Sequence, residues 1–354
     1  MNPLLFPVLV VIGCSGGTPD QGEHGAPAES EGFVLKENRE IMSTIFEVSV
    51  AAGPDDNAST VRPAVEAALD EVARIETVMS PYIADSELSL VNAAAGGDPV
   101  VVSSELYGIV ERAVALCAET GGLVDITFLP LGRAWDFRAT PFVPPDDAQL
   151  AAALELVDCG AVELDSEVGT IRLPRAGMAM GLGAVAKGYA VDRASAVLSE
   201  AGFANHLVNG GGDVLGRGAK PDGPWMVGIR HPRVDSSLMG RMPLRDASMV
   251  TSGDYERFVE VEGVRYHHII DPRTGWPAQG LVSVSVMADN AERADGLATA
   301  LLAAGPEDAQ QMVQTLGLEA LLVLSDGSYK VSRGIGARAQ IEGYAAPPQE
   351  APTE

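Results

Sequence analysis

Two stretches of this chain hold residues whose types and spacing suit chemistry. The first runs from Thr251 to Pro277, where Thr251-Ser252-Gly253-Asp254 precedes a pattern with His268, Asp271 and Arg273. A histidine that titrates near neutrality, a carboxylate, a guanidinium and a hydroxyl-glycine turn suit work on a phosphate or an acyl group. Equally, they are what the solvated polar end of a surface hairpin contains. The second is the run Ala291 to Leu302, apolar except for a few residues, in which Asp295 and Thr299 stand four apart and share a helix face. A buried carboxylate and hydroxyl need partners. A hard cation such as Mg²⁺ satisfies both, and so does Thr299 bonding back to the Asp295 carbonyl while Asp295 caps a neighbouring element.

Between these lies a third pattern, Gly181-Leu182-Gly183-Ala184-Val185-Ala186, with Lys187 one residue on. It matches the G-x-G-x-x-G/A turn of dinucleotide-binding units and opens a helix. The preceding segment is broken by Pro174, Arg175 and Gly177, unlike the apolar strand of a Rossmann unit. The reading is a phosphate-approach turn without the Rossmann fold, with Lys187 placed to reach an anion or simply solvated.

The elements that position these groups follow from periodicity. Phe258 to Val261 and Val264 to Ile270 alternate on either side of Glu262-Gly263, a hairpin signature. Alternation puts His268 on the inward face with Val264, Tyr266 and Ile270, and leaves His267 solvated beside Arg265 and Ile269. Arg39 to Val50 reads as one opening strand. Pro63 to Met79 is an amphipathic helix, and Ser103 caps another reaching Glu119. Asp125 to Gly132 reads as a loop pinned by aromatics. Leu207-Val208-Asn209 is a strand ending in Gly210-Gly211-Gly212-Asp213, where backbone must pass close to something. Strands and helices mix without strict alternation, so the expected fold class is α+β, with mixed sheets and packed helices in one large domain.

The chain has 354 residues, a formal net charge of -25, 46% hydrophobic and 21% charged residues. So acidic a protein is not expected to bind nucleic acid, and an anionic ligand requires a local cation to override the field. Three cysteines argue against a disulfide framework, and Cys117 and Cys159 read as buried inert thiols. Residues 2–12 are apolar and end in Val11-Ile12-Gly13-Cys14. That ending resembles the lipobox of bacterial lipoproteins, with Cys14 the lipidated residue. The expected organisation is a lipoprotein signal over 1–14, a flexible tether over 15–38, a folded domain over 39–333 and a disordered tail over 334–354.

The ordered set of short motifs resembles the ApbE family of flavin transferases. The motifs are Met42-Ser43-Thr44, Ser80-Pro81-Tyr82, Asp125-Ile126-Thr127, Gly183 to Asp192, Asn209 to Asp213, Thr251 to Tyr255, His268 to Gly275, and Ala294 to Ala300. The resemblance implies an ApbE-like domain that transfers FMN from FAD to a threonine hydroxyl of a flavoprotein subunit of the respiratory redox-complex type, releasing AMP with Mg²⁺. It implies a lipoprotein anchored to the cell membrane on the periplasmic or other extracytoplasmic face. By match, Asp295, Thr299 and the Ala184 carbonyl hold the metal. Met42, Tyr82, Asp125, Ile126, Thr127, Gly181, Lys187 and Ile270 form the FAD site, and His268 acts at the reacting phosphate. The family usually has Gly where Ser43 stands and Asp where Gly181 stands. Two other readings use the same residues: a pyrophosphatase that cleaves FAD to FMN and AMP, and a FAD-binding lipoprotein without catalysis.

Overall fold

The computed structural model describes residues 32–343, so Cys14, the signal and most of the tether lie outside the described residues. The chain opens on a hairpin, β1 (Phe33–Ile41) and β2 (Thr44–Ala52), followed by α1 (Ala58–Met79), α2 (Glu87–Ala93), β3 (Val100–Val101) and α3 (Ser104–Glu119). Next come α4 (Leu129–Trp135), α5 (Asp147–Leu154), β4 (Glu163–Asp165), β5 (Thr170–Arg172) and α6 (Ala186–Glu200). Five strands succeed these: β6 (His206–Gly210), β7 (Asp213–Arg217), β8 (Trp225–Arg230), β9 (Leu238–Leu244) and β10 (Ala247–Gly253). The central hairpin is β11 (Phe258–Val261) with β12 (Val264–His267). After it stand β13 (Leu281–Ala288), α7 (Ala291–Ala304), α8 (Pro306–Thr315), β14 (Glu319–Leu324), β15 (Tyr329–Val331), α9 (Arg333–Arg338) and β16 (Gln340–Ile341).

Eight strands form one sheet in the order β1-β2-β6-β7-β10-β13-β14-β15, antiparallel throughout. The architecture is α+β, with no parallel Rossmann sheet. One face of the sheet carries α1, α6 and α7 over a large core that includes Phe46, Val48, Val72, Val250 and Leu301. The other face packs Leu207, Val214 and Met249 against Trp225, Val227 and Met242 of the small sheet β16-β9-β8. A third cluster gathers Trp135, Leu131, Leu150 and Ile270, with Phe137 and Phe142 stacked, Tyr266 tilted and Trp276 edge-on around Trp135.

Several boundaries differ from the sequence reading, each for a local reason. The opening strand is two strands, reversed at Met42 and Ser43, whose φ values of 54° and 59° make the left-handed turn of a tight hairpin. Its first strand begins at Phe33, so the folded part starts inside the span assigned to the tether. At the other end, α9 and β16 occupy residues assigned to the tail, β16 pairing with β9. α1 starts five residues early because Asn57 caps it in a reciprocal box with Thr60. The segment after Thr127 is not a loop, since α4 begins at Leu129 with a proline in its first turn.

Candidate active site

The site is built where α6 and α7 cross beside the sheet. Gly188 on α6 lies so close to α7 that a Cβ would sit 2.2 Å from the Ala291 carbonyl oxygen. Only glycine permits that approach. The amide of Gly188 then donates to Asp295 Oδ2 at 3.1 Å. One turn farther along α6, Asp192 accepts from the Ala291 and Glu292 amides and caps α7. Asp295 is therefore held by the helix crossing itself, and it is 2% exposed.

Lys187 reaches across to two carboxylates. Its Nζ pairs with Asp213 Oδ2 and lies 3.6 Å from Asp295 Oδ1. Asp213 is the first residue of β7, presented by the Gly211-Gly212 turn, where both glycines have positive φ and a Cβ on Gly211 would collide with Thr44. Sequence reasoning read that turn as a close backbone approach and missed Asp213 as a functional group. A lone carboxylate opening the apolar strand Asp213-Val214-Leu215 was the available signal.

Charge in the cluster is unbalanced. Two buried carboxylates face one ammonium, and Asp213 Oδ1 is buried without a hydrogen-bond partner among the described residues. Burial pushes the Asp295 carboxyl well above the usual carboxylate range and Asp213 adds to it, against the pull of Lys187. Burial likewise raises Asp213, with Lys187 opposing. Burial favours the neutral form of Lys187, but Asp213 and Asp295 outweigh it and hold the ammonium above its ordinary value. Thr299 lies one turn beyond Asp295, and its hydroxyl is 3.4 Å from Ser252 Oγ on β10. The cluster fits a divalent cation on two counts. The orphaned oxygen and surplus negative charge call for one, and a carboxylate, a hydroxyl and the Ala184 carbonyl before α6 are hard oxygen donors of the type Mg²⁺ prefers. The bonding-back of Thr299 to the Asp295 carbonyl is not among its contacts.

The histidines are placed differently from the alternation argument. β12 ends at His267, so the pleat stops one residue before His268. His267 is buried, 3% exposed, with Nε2 against the Ala278 carbonyl at 2.8 Å and Nδ1 without a partner among the described residues, rather than solvated. His268 is half-buried, its Nδ1 3.3 Å from the Arg257 carbonyl. Burial, then Arg257 and His267, with a smaller part from Lys187, push its pKa down to about 3. The imidazole is thus neutral and within electrostatic reach of the Lys187 cluster.

Other expected site residues divide into rim and scaffold. Tyr82 is 73% exposed after the end of α1, with the Arg138 guanidinium 5.3 Å from its ring centre, so it offers an aromatic face. Met42 is tied to the same end of α1 by its amide, which donates to Glu76 at 3.1 Å. Gly181 donates its amide to the Ile126 carbonyl at 2.7 Å, which sets the 125–127 segment beside the turn before α6. Asp125 and Thr127 form a latch: Asp125 Oδ1 accepts from the Thr127 amide and hydroxyl, Oδ2 accepts from the Cys159 amide, and Thr127 Oγ1 accepts from the Asp158 amide. Cys159 is bonded to Cys117 as a disulfide spanning 42 residues, so the two are not free thiols. Ile270 is 4% exposed within the aromatic cluster, so its side chain packs there and only its backbone remains for a ligand.

The polar groups that first suggested chemistry are largely internal. Asp254 is a buried fork to Arg233, both contacts 2.6 Å, with Arg265 at 3.7 Å. Arg273 closes on Asp271 and bridges to Asp308 and the Ala304 carbonyl, fixing the hairpin exit to the α7–α8 junction. Neither pair is placed to receive a phosphate.

Residues 42–322 match the model of the ApbE family. The chain is similar to the FAD:protein FMN transferase of Treponema pallidum, 37% identical over 79% of this chain and 84% of that one. It is also similar to that of Klebsiella pneumoniae, 31% identical over 92% of each. Among solved structures, the ApbE protein of Thermotoga maritima superposes with a TM-score of 0.80 at 30% identity, covering 86% of this chain and 99% of that one. The flavin transferase ApbE of Vibrio cholerae gives 0.77 at 29% identity, covering 87% and 99%.

Proposed function

The chain belongs to the ApbE family, and on that premise we propose that it is a transferase that moves FMN from FAD onto a threonine hydroxyl of a target flavoprotein, releasing AMP. The observation that carries this reading is the buried Asp213–Lys187–Asp295 cluster with Thr299 and neutral His268 around it. Phosphoryl-type transfer needs positioning and charge neutralisation more than covalent help from the protein.

The incoming threonine oxygen forms a bond to the FMN-side phosphorus, and the bond from that phosphorus to the bridging oxygen breaks, the oxygen leaving with AMP. Lys187 holds the ammonium charge against the diphosphate. Tyr82 and Met42 provide a rim for the rings, and the Asp125–Thr127 latch fixes the segment beside Gly181. Asp295, Thr299 and the Ala184 carbonyl would hold a Mg²⁺ ion, which would supply charge neutralisation on the diphosphate. His268 takes the hydroxyl proton at its imidazole and passes it to solvent. A pKa near 3 makes it a weak base until a diphosphate binds. The diphosphate's negative charge acts against Arg257 and raises that value toward the useful range.

The target is of the respiratory redox-complex type, and the protein is a lipid-anchored lipoprotein on the extracytoplasmic face through Cys14. The Cys117–Cys159 disulfide supports an oxidising compartment. Co-expression with such a subunit tests the reading: its band in a denaturing gel should carry flavin fluorescence, lost when the subunit's acceptor threonine is replaced by alanine. A non-fluorescent subunit in the presence of folded enzyme and FAD rejects it.

A further inference from the structure

The sheet edges of this protein are not treated alike. β1, at one edge of the eight-stranded sheet, carries Lys36, Glu37, Arg39 and Glu40 in nine residues, and β15 at the other is three residues long with Lys330 at its centre. Charge and shortness are the usual means of keeping an edge from pairing with other chains. β8 is the end strand of the β16-β9-β8 sheet, and its first five residues, Trp225-Met226-Val227-Gly228-Ile229, hold no charge and no proline. Among the described residues it pairs only with β9.

The register shows what the open side presents. Met226 stands opposite Pro243, which has no N–H to give. That position is therefore not a hydrogen-bonded pair of the ladder, and by alternation Met226 and Gly228 turn their N–H and C=O groups outward. The outward edge faces a pocket. Val227, Gly228 and Arg230 of β8 line it together with Gly211, Gly212, Val214, Thr251, Tyr255 and Glu256. Gly228 thus belongs both to the strand's outward edge and to the lining of the pocket. A Cβ on Gly212 would meet nothing within 4 Å.

This pocket adjoins the candidate active site. Gly212 is joined to Asp213 at the end of the sheet, and Glu256 of the lining lies within electrostatic reach of Lys187 and Asp213. Arg230 stacks over the Tyr255 ring at 4.9 Å and lies 3.7 Å from Glu256, which keeps a charged pair of both signs at the rim.

We propose that the open edge of β8 is the docking site for the acceptor protein, which adds an extended segment as a further strand and so delivers its hydroxyl to the Asp213–Lys187–Asp295 cluster. This rests on the transferase reading, since only a polypeptide acceptor needs such a site. Main-chain pairing explains how an extended segment is held without a dedicated side-chain pocket.

The test is hydrogen exchange of the full chain with FAD and Mg²⁺, with and without the apo form of a redox-complex subunit that accepts FMN on threonine. Added subunit should slow exchange at residues 226–230 and leave α6 unchanged relative to FAD alone. In parallel, Met226→Pro removes one outward N–H and avoids Gly228, where a new Cβ would stand 2.8 Å from the Leu238 side chain. It should raise KM for the subunit at least about tenfold, the effect of one or two lost hydrogen bonds, with FAD affinity unchanged. FMN transfer by the parent without protection at 226–230 overturns the docking site and leaves the activity standing. Protection that is present without subunit and disappears on removing residues 1–31 or 344–354 assigns the edge to the chain's own termini, which also overturns it. No transfer by the parent at all rejects the activity first and the docking site with it.

Discussion

Replacing Lys187 with methionine keeps the aliphatic stem and removes the ammonium, leaving Asp213 and Asp295 at 1% and 4% side-chain exposure with no counter-charge. Breaking a buried pair this way costs about 3–5 kcal/mol. Lys187 retains 32% of its side-chain surface in solvent, so screening reduces this to about 2–3 kcal/mol. At about 2–4 °C per kcal/mol for a chain of this order of size, the melting temperature should fall by roughly 4–12 °C in metal-free buffer. Added Mg²⁺ should then restore more stability to Lys187→Met than to the parent, because a cation that binds only the folded state stabilises it by mass action. Differential scanning calorimetry across a Mg²⁺ series reads both effects. A melting temperature within 2 °C or so of the parent, with an equal Mg²⁺ response, would refute the account of the cluster as an electrostatically unbalanced cation site.

Three further outcomes are expected. Ser43→Gly relieves a non-glycine residue at φ 59° and should stabilise the fold by about 0.5–1 kcal/mol in urea denaturation; destabilisation would show that the Ser43 side chain matters there. Gly181→Asp has room, since its Cβ would meet only the Leu129 side chain at 3.6 Å. It should tighten FAD binding severalfold in a fluorescence titration, by about one added hydrogen bond, and weaker binding would contradict that. His206, His267 and His268 all have pKa values lowered by burial in the folded state. The unfolded chain therefore binds more protons between the ordinary histidine value and the lowered ones, so stability is full above about pH 6.5 and falls as pH drops below it, by up to about 1.4 kcal/mol per pH unit for each histidine. Urea midpoints that stay flat from pH 7 to 5 would contradict the burial of these rings.

Much of the architecture was legible because periodicity and caps are local. The Ser103 cap, the Glu262-Gly263 hairpin turn and the strand at Leu207 all stand where pattern put them. The Met42-Ser43 reversal was not, since neither residue is a usual left-handed turn former and the strands on both sides read as one run. The disulfide joins cysteines 42 residues apart, and nothing in their spacing announces a pairing. The histidines show the limit of period-two reasoning: it holds only while the strand lasts, and β12 stops at His267. In the site, Asp295 and Thr299 were legible from their i,i+4 spacing on an apolar helix. Asp213 was not, because its role depends on Lys187 reaching it from another element. Asp254 looked reactive in sequence because its partner, Arg233, lies on another segment, and Arg273 because its ties to Asp308 and the Ala304 carbonyl are not visible from its own motif.

The central claim is that FAD is cleaved by a protein hydroxyl rather than by water. Purified enzyme, FAD, Mg²⁺ and apo acceptor subunit should yield AMP and covalently bound FMN in equal amounts, by chromatography and by the intact mass of the subunit. Little AMP should form when the acceptor threonine is replaced by valine. AMP released in step with free FMN, at the same rate with or without the acceptor threonine, would contradict the claim and identify the site as a pyrophosphatase.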